Sequence, residues 1–353
     1  MARFADELEC GLRDRAAFSV TSLTVRPWRI GARLGRPAAD RHVSRYVRLP
    51  LAARRRRADV YHITDGAYGH VAALLPDERT VATCHDLMLL RAEEGGLGFR
   101  GHPLSVLRYR WSASYLRRLH HVVFDSDSTR RDAIRLVGID AARASVVPPG
   151  VDSRFRPLAD DERRRVRGEL ALGGRRVVLH VSTGLPYKNV PATLRVLAAL
   201  REQGHRVALV RAGEPLAPQE RALARELGVE TDVVELLRVS DPRLVELYNG
   251  ADVLLFPSHY EGFGWPPLEA MACGTPVVVS DCAPLREVVG DAALAAPADD
   301  VAALTASVRL VLESPELAAR LRAAGFERAS AFSWERTLDR YADLYRRVAA
   351  GGP

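Results

Sequence analysis

The sequence predicts an α/β protein of two domains, each a parallel sheet covered by helices on both faces. Three observations predict it. Short apolar strands alternate with helical segments of about 10–15 residues along nearly the whole chain. The alternation runs twice and breaks at Pro148-Pro149-Gly150, the best hinge candidate in the chain. The 353 residues suit two domains, at roughly 100–200 residues each. Around one hinge, two such Rossmann-like halves face a central cleft, and ligands of such sheets bind outside the carboxyl ends of the strands. The expected domains are residues 1–150 and 151–333, with a closing helix over 334–353.

The elements follow from local patterning. Phe4, Leu8 and Leu12 recur at helical spacing, which predicts a helix over Ala2–Leu12. Phe18–Val25 alternates like a strand. A basic stretch punctuated by Pro and Gly leads to a strand at Val60–Ile63, and a third, Thr80–Cys84, ends in His85-Asp86. Arg91–Pro103 holds four glycines without periodicity and reads as a loop. A basic helix over Leu104–Leu119 precedes the strand His121–Phe124, the helix Thr129–Leu136 capped or begun by Asp127, and a short strand at Val146-Val147.

Beyond the hinge, strands are predicted at Val177–Val181, Val207–Ala212, Val233–Glu235, Val253–Phe256 and Pro276–Val279. Helices are predicted between them at Pro191–Gln203, Pro218–Leu227, Pro242–Tyr248 and Pro267–Ala272. Three more follow, at Val301–Glu313, Pro315–Ala324 and Trp334–Val348.

Composition removes several classes. Hydrophobic residues make up 47% and charged residues 27%, which are ordinary globular values that exclude disordered and collagenous chains. Cys10, Cys84, Cys273 and Cys282 show no C-x-x-C and no paired spacing, as expected of small buried hydrophobes in a reducing cytosol. With no long apolar run and no basic-then-apolar leader, a cytoplasmic protein is the expectation. The net charge is +7, but its signs interleave and no nucleic-acid motif is present, so no nucleic-acid partner is expected. Of 51 basic residues only Lys188 is a lysine. A single survivor points to a position that wants a compact ammonium instead of a planar fork.

After the strand Val253–Phe256 the sequence runs PSHYEGFGWPPLEAMACGTPVVVSD. Gly262 and Gly264 leave backbone N–H groups open to an anion, and Pro266-Pro267 begin a helix whose N-terminus favours negative charge. Glu269 reads as lying in that helix's first turn, where a carboxylate can accept ribose hydroxyls. Glu261, on the loop, can reach a sugar hydroxyl.

The stretch Asp252–Asp281 resembles the nucleotide-sugar signature of retaining glycosyltransferases of family 4, with Glu261 and Glu269 as its Glu-x(7)-Glu pair. HVSTGLPYKN resembles the family's phosphate loop with Lys188 in the lysine position. CHDL (Cys84–Leu87) resembles its His-Asp corner. FDSDSTRRD, VVPPGVD, VSDPRLVELYNGADVLLFPS and FSWERTLDRYADLYRRV resemble further family segments, the last a closing helix that crosses back to the N-terminal domain.

The resemblance implies a GT-B fold and transfer of a hexosyl unit from a nucleoside diphosphate with retention. It implies no metal and no cofactor beyond the nucleotide-sugar donor. Lys188 would neutralise the leaving diphosphate. Ser182 and Thr183, with the N–H groups of Gly262, Phe263 and Gly264, would line the phosphate and sugar. Glu269 would hold the ribose and Glu261 the sugar ring. His85 would contact the sugar, with Asp86 orienting it or facing the acceptor. The acceptor would be a glycan or lipid-linked, in surface polysaccharide synthesis.

Two departures stand out. Thr183 and Tyr187 occupy positions where relatives carry a second cation near the lysine. The family's first strand and its glycine-rich loop have no counterpart, since Met1 falls inside the helix that should follow them. The expectation is a start placed downstream of that strand, or a sheet with a gap near its centre. The helix near Leu104–Leu119, with Arg108, Arg110, Arg117, Arg118, Tyr109, Trp111 and Tyr115, reads as a solvated face with core aromatics, or as a contact with an anionic membrane or a phosphorylated acceptor. A nucleotide-sugar epimerase or phosphorylase and a non-catalytic sugar-nucleotide binder are the competing readings. A dehydrogenase is disfavoured because no G-x-G-x-x-G follows a strand.

Overall fold

The computed structural model describes residues 2–25, 37–170 and 172–352. The chain divides into two compact units. One comprises Met1–Glu94, Arg100–Gly150 and Trp334–Pro353; the other comprises Gly95–Phe99 and Val151–Ser333.

In the first unit, β1 (Tyr61–Ile63), β2 (Thr80–Cys84), β3 (His121–Phe124) and β4 (Ala144–Val146) pair in that order, all parallel. Every residue of β2 is buried, as its small and β-branched side chains suit a strand covered on both faces. Ala82, Cys84, Val122 and Phe124 pack with Ala113 and Leu116 on one face. Val81 and Val123 on the other face meet the helices Ala2–Arg13 and Trp334–Ala349. The last helix buries Leu338, Tyr341, Ala342, Tyr345 and Val348 against Phe4, Leu8 and Leu12. At about 1.5–3 kcal/mol per large buried side chain, that stripe makes the closing helix part of the first unit's core. Its hydroxyls finish the seam. Tyr341 Oη lies 2.7 Å from Thr83 Oγ1, and Tyr345 Oη lies 2.6 Å from His62 Nδ1.

Several expectations change here. Phe18–Val25 is not a strand. It runs without a ladder partner, and Phe18 and Val20 pack against the closing-helix cluster; alternation marks half-buried extended chain, whatever covers it. Among the described residues the sheet shows no gap of the kind given as one alternative. Among the described residues β1 pairs directly with β2 and stands at the edge. Cys10 is exposed, not buried. The predicted Leu104–Leu119 helix is an α-helix over Pro103–Ser114 followed by a tighter 3₁₀ turn over Tyr115–Arg118. The next helix, Asp127–Val137, is capped by Ser126, whose Oγ accepts from Thr129 N–H at 3.1 Å. The basic stretch that showed no pattern holds helical turns over Pro37–Val43, Ser44–Arg48 and Leu49–Arg54; residues 26–36 of it lie outside the described residues.

The second unit has six parallel strands. They are β5 (Arg176–Ser182), β6 (Val207–Gly213), β7 (Val233–Leu237), β8 (Val253–Phe256), β9 (Val277–Ser280) and β10 (Leu294–Ala296), in the order β10-β9-β8-β5-β6-β7. Val177 and Leu179 face one core; Val178 faces the other, with Val190, Leu194 and Leu304. Three elements escaped the sequence reading: β10 and the helices Asp160–Glu169 and Ala283–Val289. In Asp160–Glu169 only Val166 is buried, so it carries no apolar periodicity to detect.

The strand order reverses between β5 and β8, which makes their carboxyl ends the topological switch point. Gly213, at the end of β6, is held at φ +136°, and a Cβ there would sit 2.0 Å from the Ser182 carbonyl oxygen. Backbone on both sides leaves no room to relax. Gly213→Ala is therefore expected to cost about 2–3 kcal/mol or more, read as a lower urea midpoint with an unchanged slope. A loss below about 0.5 kcal/mol would contradict this packing.

Candidate functional site

The loops leaving β5 and β8 carry the second unit's candidate residues. After Ser182, Thr183 lies exposed on the loop, and the chain tightens into a 3₁₀ turn over Pro186–Lys188. Asn189, at φ 55°, then opens the helix Val190–Glu202, and its Nδ2 donates to the Ala298 carbonyl at 2.8 Å. His259 N–H, on the loop after β8, donates to the Tyr187 carbonyl at 2.8 Å and ties the two loops together. Across that tie Lys188 Nζ donates to both oxygens of Glu261, at 2.7 and 2.9 Å. The pair is largely desolvated, with side chains 11% and 10% exposed. The attraction within such a pair is larger than in a surface one, but desolvation offsets it, and losing either partner leaves a costly bare charge. The Tyr187 and Phe256 rings lie 4.9 and 5.3 Å from the ammonium and add cation–π contacts. Lys188 and Glu261, assigned separate duties from the sequence, are thus direct partners.

Gly262, Phe263 and Gly264 form the turn into the helix Trp265–Ala272, with Pro266 and Pro267 at its start. Gly264 sits at φ +126°, and a Cβ there would meet Leu285 Cδ2 at 2.8 Å; only glycine fits the turn. Phe263 turns its ring into the core, edge-on to Trp265 and Phe332 at 5.7 and 5.8 Å. Its backbone is what it offers the loop. Glu269 lies in the helix's second turn, not its first, because the helix begins two residues earlier than predicted. It is buried and accepts from Tyr248 Oη at 2.9 Å, which orients the carboxylate.

Ser182 is spoken for. His180, fully buried on β5, donates from Nδ1 to the Leu255 carbonyl at 3.0 Å, so its Nε2 accepts from Ser182 Oγ at 2.8 Å. The tautomer follows because a carbonyl can only accept. Burial pushes the His180 pKa down to about 3, helped by the charges of Arg211 and Lys188 against the Leu255 hydrogen bond. The hydroxyl hydrogen of Ser182 therefore serves a neutral imidazole. Arg211, paired with His180 in the β5–β6 register, is a fully buried arginine that no sequence signal singled out.

The first unit places His85 just past β2 and Asp125 just past β3. The register Cys84↔Phe124 sets them side by side. His85 Nδ1 lies 2.7 Å from Asp125 Oδ2, and Nε2 lies 2.9 Å from the Thr64 carbonyl. Burial alone would lower the pKa of His85, but the attraction and hydrogen bond of Asp125, with Asp65 and Thr64, raise it above the usual value. A protonated ring donates at both nitrogens, as these two acceptors require. The residue that orients His85 is therefore Asp125, which the sequence reading missed. Its signal was its position, the first residue beyond the neighbouring strand. Asp86, expected in that role, instead accepts from Met88 N–H at 3.0 Å and starts the helix Met88–Glu93.

The two histidines give opposite pH effects. His180 has a folded pKa far below the unfolded value of about 6.5, so the unfolded chain takes up a proton that the fold refuses. Its contribution is lost as pH falls from about 6.5 toward 3, by on the order of 2 kcal/mol between pH 7 and 5. Denaturant titrations of wild type and His180→Gln at both pH values should show the variant lacking that part of the loss; parallel curves would contradict it. His85 is raised, so its contribution is full below about 6.5 and fades as pH rises through the folded value. Asp125→Asn should lower the His85 pKa in an NMR titration, and an unmoved value would remove Asp125 as its orienting group.

Residues 162–328 match the family described as Glycosyl transferases group 1, and residues 10–155 match Glycosyltransferase Family 4. O-antigen chain mannosyltransferase B of Escherichia coli is 31% identical over 275 residues, spanning 76% of this chain and 70% of that protein. A D-inositol 3-phosphate glycosyltransferase of Geodermatophilus obscurus is 34% identical over 310 residues, 82% of this chain and 67% of its own. Among solved structures, Anabaena Alr3699/HepE in complex with UDP-glucose superposes with a TM-score of 0.73 at 19% identity, over 96% of this chain and 88% of that one. With its two parallel α/β sheets the chain has the GT-B fold, and it belongs to the group 1, family 4 glycosyltransferases.

Proposed function

We propose that the protein is a retaining hexosyltransferase that moves a sugar from a nucleoside diphosphate to a glycan or lipid-linked acceptor in surface polysaccharide synthesis. In this reading it uses no metal and works in the cytoplasm, at the inner face of the membrane. The observation that carries the reading is the Lys188–Glu261 pair at the switch point, beside a glycine turn and a helix N-terminus.

Donor binding would exchange partners. Lys188 would turn from Glu261 to the diphosphate, and the freed carboxylate would accept a sugar hydroxyl. The N–H groups of 262–264 would approach the phosphate and sugar, and Glu269, held by Tyr248, would receive the ribose. As the C1–O bond to the diphosphate breaks, negative charge grows where Lys188 is aimed, so its help is largest in the transition state. The acceptor oxygen would bond to C1 on the same face and pass its proton to the leaving phosphate. No protein nucleophile is assigned. That relatives are named as mannosyl- and inositol-phosphate glycosyltransferases, and that a structural neighbour holds UDP-glucose, supports a nucleotide-sugar donor.

Thermal unfolding against UDP, GDP, ADP and their sugar conjugates tests the reading. A ligand at about 100 times its Kd adds roughly 2.7 kcal/mol of stability, so one base should raise Tm clearly and the others should not. Lys188→Ala should abolish that shift and lower kcat by about 10²–10³. Lys188→Arg should also impair turnover, since a planar fork does not replace a point charge. Binding and turnover that survive Lys188→Ala would take the lysine out of the site. A cooperatively unfolding protein that responds to no nucleotide would overturn the transferase reading.

A further inference from the structure

Arg211 lies on β6 and is 1% exposed. Its Nη1 donates to the Glu214 carbonyl, and its Nε and Nη2 have no hydrogen-bond partner. A buried guanidinium with unmet donors carries a desolvation penalty that an anion would relieve. Burial pushes its pKa down against the attraction of Glu220, Glu235 and Glu214, yet none of the three carboxylates bonds it. Glu220 accepts from Ala217 N–H at 2.8 Å, Glu235 from Leu216 N–H and Arg221 Nη2 at 2.6 Å each, and Glu214 is exposed. Arg175 and Arg201, by contrast, both close on Asp232.

This charge sits beside the loop that carries Lys188. The register sets Arg211 next to His180, and Gly213 next to Ser182, at the carboxyl ends of β6 and β5. Alternation puts Arg211 on the sheet face of Val207 and Leu209, which the helix Val190–Glu202 covers. Thr193 Oγ1 of that helix lies 3.5 Å from His180 Nδ1. The tip of Arg211 reaches the loop leaving β6 at Glu214, and that loop abuts the one leaving β5: a Cβ on Gly184 would lie 3.5 Å from Glu214 Cβ. His180 feels the charges of both Arg211 and Lys188. Thr183–Pro186, on the loop between them, are exposed. One loop is thus flanked by two cations, of which Lys188 already has a carboxylate and Arg211 has donors to give.

We propose that Arg211 is the second cation of the donor site, taking oxygens of one phosphate through Nε and Nη2 while Lys188 takes the other phosphate. The exposed turn Thr183–Pro186 shifts to admit that phosphate. Neither Thr183 nor Tyr187, near the lysine in sequence, can supply a positive charge, so β6 supplies it from beneath the loop. The proposal rests on the nucleoside-diphosphate donor of the functional reading above and deepens it. Two cations on separate strands select a diphosphate over a single phosphate, and the planar fork of Arg211 offers two parallel bonds where the ammonium of Lys188 offers a point charge.

The test is calorimetric titration and thermal unfolding of the full chain against inorganic pyrophosphate, inorganic phosphate, and the mono- and diphosphates of uridine, guanosine and adenosine. Arg211→Met should weaken pyrophosphate and the favoured nucleoside diphosphate by at least about tenfold, and the monophosphates by less than about twofold. Its ligand-free Tm should equal or exceed that of wild type, because an apolar side chain replaces a charge with unmet donors. Arg211→Lys, which keeps the charge, should recover a large part of the lost diphosphate affinity. Wild-type pyrophosphate affinity in Arg211→Met, or a lysine variant that behaves like the methionine one, would overturn the proposal. So would a ligand-free Arg211→Met that melts well below wild type or does not fold, since the guanidinium would then serve the fold. Pyrophosphate needs no nucleoside, which keeps the two ideas apart. A nucleoside-diphosphate response that survives Arg211→Met defeats this proposal alone; pyrophosphate binding through Arg211 with no response to any nucleoside diphosphate defeats the transferase reading alone.

Discussion

The Lys188–Glu261 ion pair is the contact around which the carboxyl edge of the second unit is arranged. Burying two opposite charges is worthwhile only when each meets the other, because either alone would be a bare charge in a low-dielectric site. That requirement couples two loops far apart in sequence. The parallel pairing of β5 with β8 brings them together, the His259–Tyr187 hydrogen bond sets their spacing, and the positive φ of Gly264 turns the second loop into its helix. An anion entering here finds a cation that already has a partner. Its affinity is a difference between two pairings, not the full strength of one.

Much of this was legible because it is local. The strands Thr80–Cys84, His121–Phe124 and Val253–Phe256 declare themselves by short apolar runs between turn residues, and the Pro-Pro-Gly boundary by backbone stiffness. Glu261, Glu269 and the glycines between them lie in one segment, and their spacing is visible without a fold. What escaped depended on partners elsewhere in the chain. Asp125 acquires meaning only once β2 and β3 are in register. Ser182 looked like a free hydroxyl until His180 was found beside it. Phe18–Val25 carries an alternation that a helix, not a sheet, satisfies.

His85 and His180 show how environment divides one residue type into two chemical species. Each occupies a parallel strand's carboxyl half or edge, and each uses both ring nitrogens. His180 faces a carbonyl and the hydroxyls of Ser182 and Thr193, with Arg211 and Lys188 nearby, and burial keeps it neutral. His85 faces a carbonyl and a buried carboxylate, and Asp125 outweighs the same burial. The neutral ring fixes a serine rotor within the fold; the raised ring carries a charge. A count of histidines could not distinguish them, since the difference lies in the charges that each ring faces.

The lone lysine has a physical reading in the same terms. Arginine serves well wherever the contact is permanent, and this chain uses it so: Arg167 and Arg176 both lock onto Asp252, and Arg175 and Arg201 onto Asp232. A guanidinium facing Glu261 could form a bidentate fork, strong and geometrically specific. The proposed exchange of a carboxylate for a phosphate would need the opposite quality. An ammonium has no preferred plane, rotates its three donors freely, and can follow a moving charge on a flexible stem. In the proposed function Glu261 would act as a placeholder that keeps the lysine pointed inward until a donor binds, at the cost of part of the donor's binding energy. In that reading the same competition would supply discrimination: a ligand with a single weak anion would leave the pair closed, whereas a diphosphate would offer more charge to open it.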